Sequence, residues 1–192
     1  MRSLLLLCLA CCLPLSAAEI PLDDSTIVVG ERVGPIEKGM TLFGLKTLFG
    51  SGKVKPVKLP GPEGTELDGA RLFAGTDREL EILFDEESQE KEIIDVRIIG
   101  KGWIFANGLK LGMNIAEVEK VNGKPYELSG FDWDYGGYAN FKGGKLEAKV
   151  SVRFSPTGEI DQSLSGEKQI PSTNKKLRVA KVEVTEISVF LR

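Results

Sequence analysis

The sequence contains no histidine, and its three cysteines, Cys8, Cys11 and Cys12, all fall within the first twelve residues. Without histidine there is no Ser-His-Asp or Cys-His catalysis and no imidazole-based zinc site. A chain shortened past residue 18 carries neither disulfides nor thiolates, so it must fold on its apolar core alone. The sequence has no G-x-x-x-x-G-K-[ST] phosphate loop, no G-x-G-x-x-G turn between strand and helix, and no Asn-x-Ser/Thr sequon. Strong charge of either sign is missing too. Removing Arg2 leaves 24 Lys and Arg against 28 Asp and Glu, a net charge of −4. That mild acidity argues against nucleic acid or anionic lipid as a partner, since both require a basic face.

Long apolar runs are equally scarce. Leu4 to Leu13 form the longest, about half the roughly 20 residues that a membrane span needs. Arg2 precedes this run, Pro14 ends it, and Ser16-Ala17-Ala18 places small residues before Glu19. Residues 1–18 are therefore expected to be a cleaved secretory signal, and the protein to be exported to a periplasmic or extracellular location. A lipoprotein signal acylated at Cys11 fits less well, because Cys8 stands where an aliphatic residue is usual. The remaining 174 residues are enough for one domain or two small ones.

An internal repeat organises the rest. Ile36–Gly50 and Leu109–Gly123 align without a gap at a spacing of 73 residues. Gly39/Gly112, Met40/Met113 and Gly50/Gly123 are identical, and Leu42/Ile115, Leu45/Val118 and Leu48/Val121 match in type. Each copy predicts a two-turn helix with one apolar stripe and a C-terminal glycine. Asn114 and Glu117 have the spacing of a capping box; Thr41 can cap the first copy, where Gly44 replaces the glutamate.

Strands are expected at 71–74, 79–84 and 93–99, with the acidic stretch 85–92 as a hairpin tip. After the second helix they are expected at 131–135, 139–141, 146–154 and 179–191. Residues 51–69 and 155–176 are rich in Lys, Pro, Ser and Gly and read as long surface loops. The fold expected is α+β, two repeats of short helices packed on antiparallel meanders, spanning residues 19–104 and 105–192.

The phrases Gly34-Pro-Ile-Glu-Lys-Gly-Met-Thr41 and Leu109-Lys-Leu-Gly-Met-Asn-Ile-Ala-Glu-Val…Gly123-Lys-Pro125 resemble a signature of small exported repeat domains. Those include the outer-membrane assembly lipoproteins of Gram-negative bacteria and secreted β-lactamase-inhibitor proteins. Trp133, Tyr135, Phe141, Gly144 and Lys145 extend the resemblance. It implies helices on a curved antiparallel sheet that binds proteins rather than catalysing a reaction. The chain departs from those families in carrying two copies and no cysteine past residue 12.

The residues that can carry function cluster at 131–138. On a strand, Asp132 and Asp134 would share one face, with Phe131, Trp133 and Tyr135 on the other. A carboxylate pair is all a glycosidase requires, although acids on an amphipathic strand also simply face water. A calcium loop starting at Asp132 fails, because Gly136 and Gly143 occupy ligand positions. No metal and no cofactor are expected. Tyr138, after the Gly136-Gly137 break, is expected to be the most exposed aromatic of the group. The expected function is a non-catalytic, protein-binding module of the bacterial envelope, with Asp132, Trp133, Asp134, Tyr135 and Tyr138 as its contact residues. A sugar-binding protein or carboxylate-dependent glycosidase, and an inhibitor of a secreted hydrolase, are the alternatives.

Overall fold

The computed structural model describes residues 20–191 apart from 62 and 63, so the expected signal at 1–18 lies outside the described residues. The architecture corrects the α+β expectation. The chain is mostly β, 37% strand and 15% helix, arranged in three sheets. A six-stranded antiparallel sheet dominates. It consists of β4 (Val54–Pro60), β5 (Glu66–Leu72), β6 (Leu80–Phe84), β7 (Ile93–Ile98), β11 (Val150–Pro156) and β13 (Val182–Phe190), in the order β11-β13-β7-β6-β5-β4.

Two smaller sheets flank it. One contains β1 (Thr26–Val28), β2 (Arg32–Val33), β3 (Ile36–Glu37) and β8 (Ile104–Phe105), and β1 and β8 pair in parallel. The other contains β9 (Glu127–Ser129), β10 (Ala139–Asn140) and β12 (Gln169–Pro171). The two expected repeats do not own separate sheets. Strand β7 from the first pairs with β13 from the second, and β8 straddles the 104/105 boundary.

Much of the added strand content comes from segments that read as loops. Residues 51–69 hold β4 and the start of β5. Pro56 and Pro60 lie on β4, an edge strand, which is where a missing ladder donor is tolerated. At Gly69 on β5 an added Cβ would meet Leu59 Cδ1 at 2.4 Å, so the glycine lets Leu59 fold over the neighbouring strand. Residues 155–176 hold the end of β11, a 3-10 turn at Gln162–Leu164, β12 and the start of α3 (Lys175–Val179).

Both predicted helices form, as α1 (Leu42–Phe49) and α2 (Ile115–Asn122). The Asn114–Glu117 capping box is complete, and Gly123 is left-handed with φ of 81° and donates to the Glu119 carbonyl. Eight residues are too few for a helix to stand alone, so each is held by burying Leu45 and Phe49, or Ile115 and Val118. The hairpin tip at 85–92 lies between β6 and β7 as expected.

The six-stranded sheet has two unlike faces. Ala70, Ile82, Val96, Val189 and Val150 are cross-strand neighbours, all buried, and belong to the main core. One residue along, the opposite face carries the row Arg71, Glu81, Arg97 and Ser188. On β13 the apolar alternation of Val182 and Val184 resumes at Ile187 and Val189, a step of three. The structure places a bulge there: Arg153 pairs with Glu186 and Phe154 with Val184, leaving Thr185 out of register. The bulge puts Glu186 beside Arg153 rather than in the core.

Candidate functional site

An ion-pair ladder crosses the polar face of the sheet. Arg71 lies 3.2 Å from Glu79 and 2.6 Å from Glu81. Arg97 spans Glu81 at 3.3 Å and Glu186 at 3.6 Å. Glu186 also accepts a 3.1 Å hydrogen bond from the Tyr138 hydroxyl. Burial raises the pKa of this phenol above its ordinary value, and the Glu186 charge and hydrogen bond act in the same direction, so Tyr138 stays a donor. Arg153 completes the row: its guanidinium stacks 5.1 Å from the centre of the Tyr138 ring, and its Nε donates to the Gly136 carbonyl at 3.0 Å.

The segment 130–138 overhangs this ladder as a folded loop, correcting the expectation of a strand at 131–135. Phe131 is buried; its N–H donates to the Leu164 carbonyl, and its own carbonyl accepts from Gly166 N–H, both at 2.8 Å. Asp132 takes a left-handed φ of 62°, which ends the alternation after one residue. The Trp133 indole N–H donates to the Gly130 carbonyl at 2.7 Å. Gly137 accepts from Phe154 N–H at 2.9 Å, tying the loop to the β11 edge.

This geometry separates the two aspartates. Asp132 turns away and accepts a 2.5 Å hydrogen bond from the Ser165 hydroxyl. Asp134 is exposed and lines an open groove of about 790 Å³ with Trp133, Tyr135 and Tyr138. Four of the five residues selected from sequence thus meet at one groove, and Asp132 does not join them. The exposure order also differs from expectation. Tyr135 is the exposed ring, at 47%, whereas Tyr138 and Trp133 are half-buried. Trp133 and Tyr135 form an edge-to-face pair with centroids 5.4 Å apart.

The opposite wall is aliphatic, formed by Pro60, Leu67 and Leu83, with Gly61 and Gly64 at the rim. Arg97, Arg153 and Glu186 form the floor. These three floor residues escaped the sequence reading. A signal was present: Glu81 and Arg97 sit at the polar positions of strands whose other positions are apolar, and such charges need partners when a face is covered. The groove holds two carboxylates, Asp134 and Glu186, but Glu186 is already engaged by Arg97 and Tyr138. No group of three or more His, Cys, Asp or Glu capable of holding a metal occurs among the described residues.

No family model matches the chain, and neither the curated proteins nor the solved structures contain a match.

Proposed function

We propose that this chain is an exported, non-catalytic binding module whose partner is a protein, and that the partner docks in the groove between the β4–β5 hairpin and the 130–138 loop. The observation carrying this reading is the convergence of Trp133, Asp134, Tyr135 and Tyr138 over a floor already locked by ion pairs. A half-exposed aromatic pair facing an aliphatic wall is the composition of an interface anchor. The ladder beneath it fixes the groove before any ligand arrives, which reduces the ordering cost of binding. Inhibition of a secreted hydrolase is the same reading with an enzyme as the target.

Tyr135→Ala is the decisive variant, since the Tyr135 hydroxyl has no hydrogen-bond partner among the described residues and about half of the residue faces solvent. The chain from residue 19 onward, immobilised and exposed to envelope extract, is expected to retain a specific protein that Tyr135→Ala loses. An anchor of this type contributes about 2 kcal/mol or more, roughly a 30-fold change in affinity. Equal recovery by both proteins would move the binding surface elsewhere.

A second reading, carbohydrate binding, is favoured by one observation: the Trp133–Tyr135 pair stands next to Asp134, whose carboxylate has no protein partner among the described residues. Quenching of Trp133 fluorescence by soluble oligosaccharides, absent in Trp133→Phe, would support it over a protein partner.

A further inference from the structure

Arg153 differs from the arginines of the ion-pair ladder in what its guanidinium leaves free. Arg71 and Arg97 each meet two glutamates. Arg153 uses only Nε, which donates to Gly136, while the Tyr138 ring supports its flat face. Neither terminal Nη has an acceptor among the described residues, and neither is sealed from solvent. The result is a guanidinium fixed in place with a two-pronged donor edge unused. That edge matches a carboxylate, which accepts two parallel hydrogen bonds from one arginine. No carboxylate lies within ion-pair distance of Arg153 among the described residues, whereas Glu186, its cross-strand neighbour, shares Arg97 with Glu81.

We propose that the groove recognises an acidic peptide segment of the partner, with an Asp or Glu carboxylate seated on the Nη edge of Arg153. This rests on the protein-binding reading above and names its specificity determinant. Two features favour a peptide. The wall facing the aromatic pair is aliphatic, suited to an apolar side chain flanking the acidic one. Asp134 on the rim offers an acceptor where Arg153 offers donors, and a peptide backbone presents both kinds of group.

The test is a selection from an immobilised library of random dodecapeptides, using the chain from residue 19 onward, Tyr135→Ala and Arg153→Gln. Peptides retained by the wild type and lost by Tyr135→Ala are expected to be enriched in Asp and Glu. Replacing the acidic residue of a selected peptide by its amide is expected to weaken wild-type binding about 10- to 100-fold, the range for a charged hydrogen-bonded contact. The same replacement leaves binding to Arg153→Gln unchanged, and this coupling separates recognition from a loop merely loosened by losing the Gly136 contact. Arg153→Lys keeps the charge but not the fork and does not restore wild-type affinity.

Peptides that depend on Tyr135 but show no acidic enrichment, or no coupling to Arg153, would overturn the carboxylate assignment and leave the groove as the binding surface. A selection with no Tyr135-dependent peptide would overturn both readings. Arg153-dependent binding of oligogalacturonate in place of any peptide would overturn the peptide assignment and transfer the site to an acidic sugar.

Discussion

Asn122 and Phe49 occupy the same position in the two aligned helices, yet one is polar, and both are buried. Phe49 packs edge-on to Phe73 at 5.1 Å. Asn122 instead staples the 142–146 turn: its Nδ2 donates to the Lys124 carbonyl at 3.0 Å, and its Oδ1 accepts from Leu146 N–H at 3.2 Å. Asn122→Ala strips the partner from the buried Leu146 N–H and from the part-buried Lys124 carbonyl and is expected to cost about 2 kcal/mol in denaturant unfolding. Asp24 gives a pH prediction. Hydrogen bonds from Thr26 and then the Arg32 guanidinium, 2.5 Å away, lower its pKa to about 2. A carboxyl depressed on folding stabilises the native state above its unfolded pKa of about 3.9, and that stability is lost as pH falls through the folded value. Asp24→Asn is therefore expected to be less stable than wild type at neutral pH. The gap should narrow from about pH 4 down to about pH 2, which unfolding curves at a series of pH values would reveal.

The helices were readable from sequence because everything that starts and stops them is local: Asn114, Glu117 and Gly123 all lie within ten residues. Removing the cap by Asn114→Ala is expected to cost about 1 kcal/mol, and Thr41→Ala less, because Thr41 satisfies the Gly44 N–H alone without a returning glutamate. Chemical denaturation of the two variants side by side checks this order. The β4–β5 hairpin was not readable. Its prolines and lysines are loop signals unless the strand is known to lie at a sheet edge, and edge position is a property of pairing. Gly69→Ala forces a Cβ against Leu59 and against the Ile82 carbonyl at 2.8 Å. It is expected to destabilise the protein by about 1–3 kcal/mol and to weaken binding in the groove that this hairpin walls. The loop at 130–138 departs from the strand pattern for a related reason. Alternating aromatics and acids suit a strand, and only contacts with residues 153–166 turn Asp132 into a left-handed corner.

At the scale of the whole molecule, the two stretches expected from sequence to be repeats share one sheet. The largest sheet takes four strands from before residue 104 and two from after it, joined where β7 meets β13. Residues 19–104 and 105–192 expressed separately are expected to lack cooperative unfolding, while the intact chain unfolds in one transition. Two independent transitions in the intact chain would show that the halves fold alone. By itself the sequence determined what depends on near neighbours: both capped helices and the 85–92 hairpin tip. Only the tertiary structure decided that the chain is mostly β, that the two halves share a sheet, and that Arg97, Arg153 and Glu186 form the floor of the groove. Each of these rests on cross-strand register: the step of three on β13 marks the bulge at Thr185, but which distant strands pair across it is encoded in no local pattern.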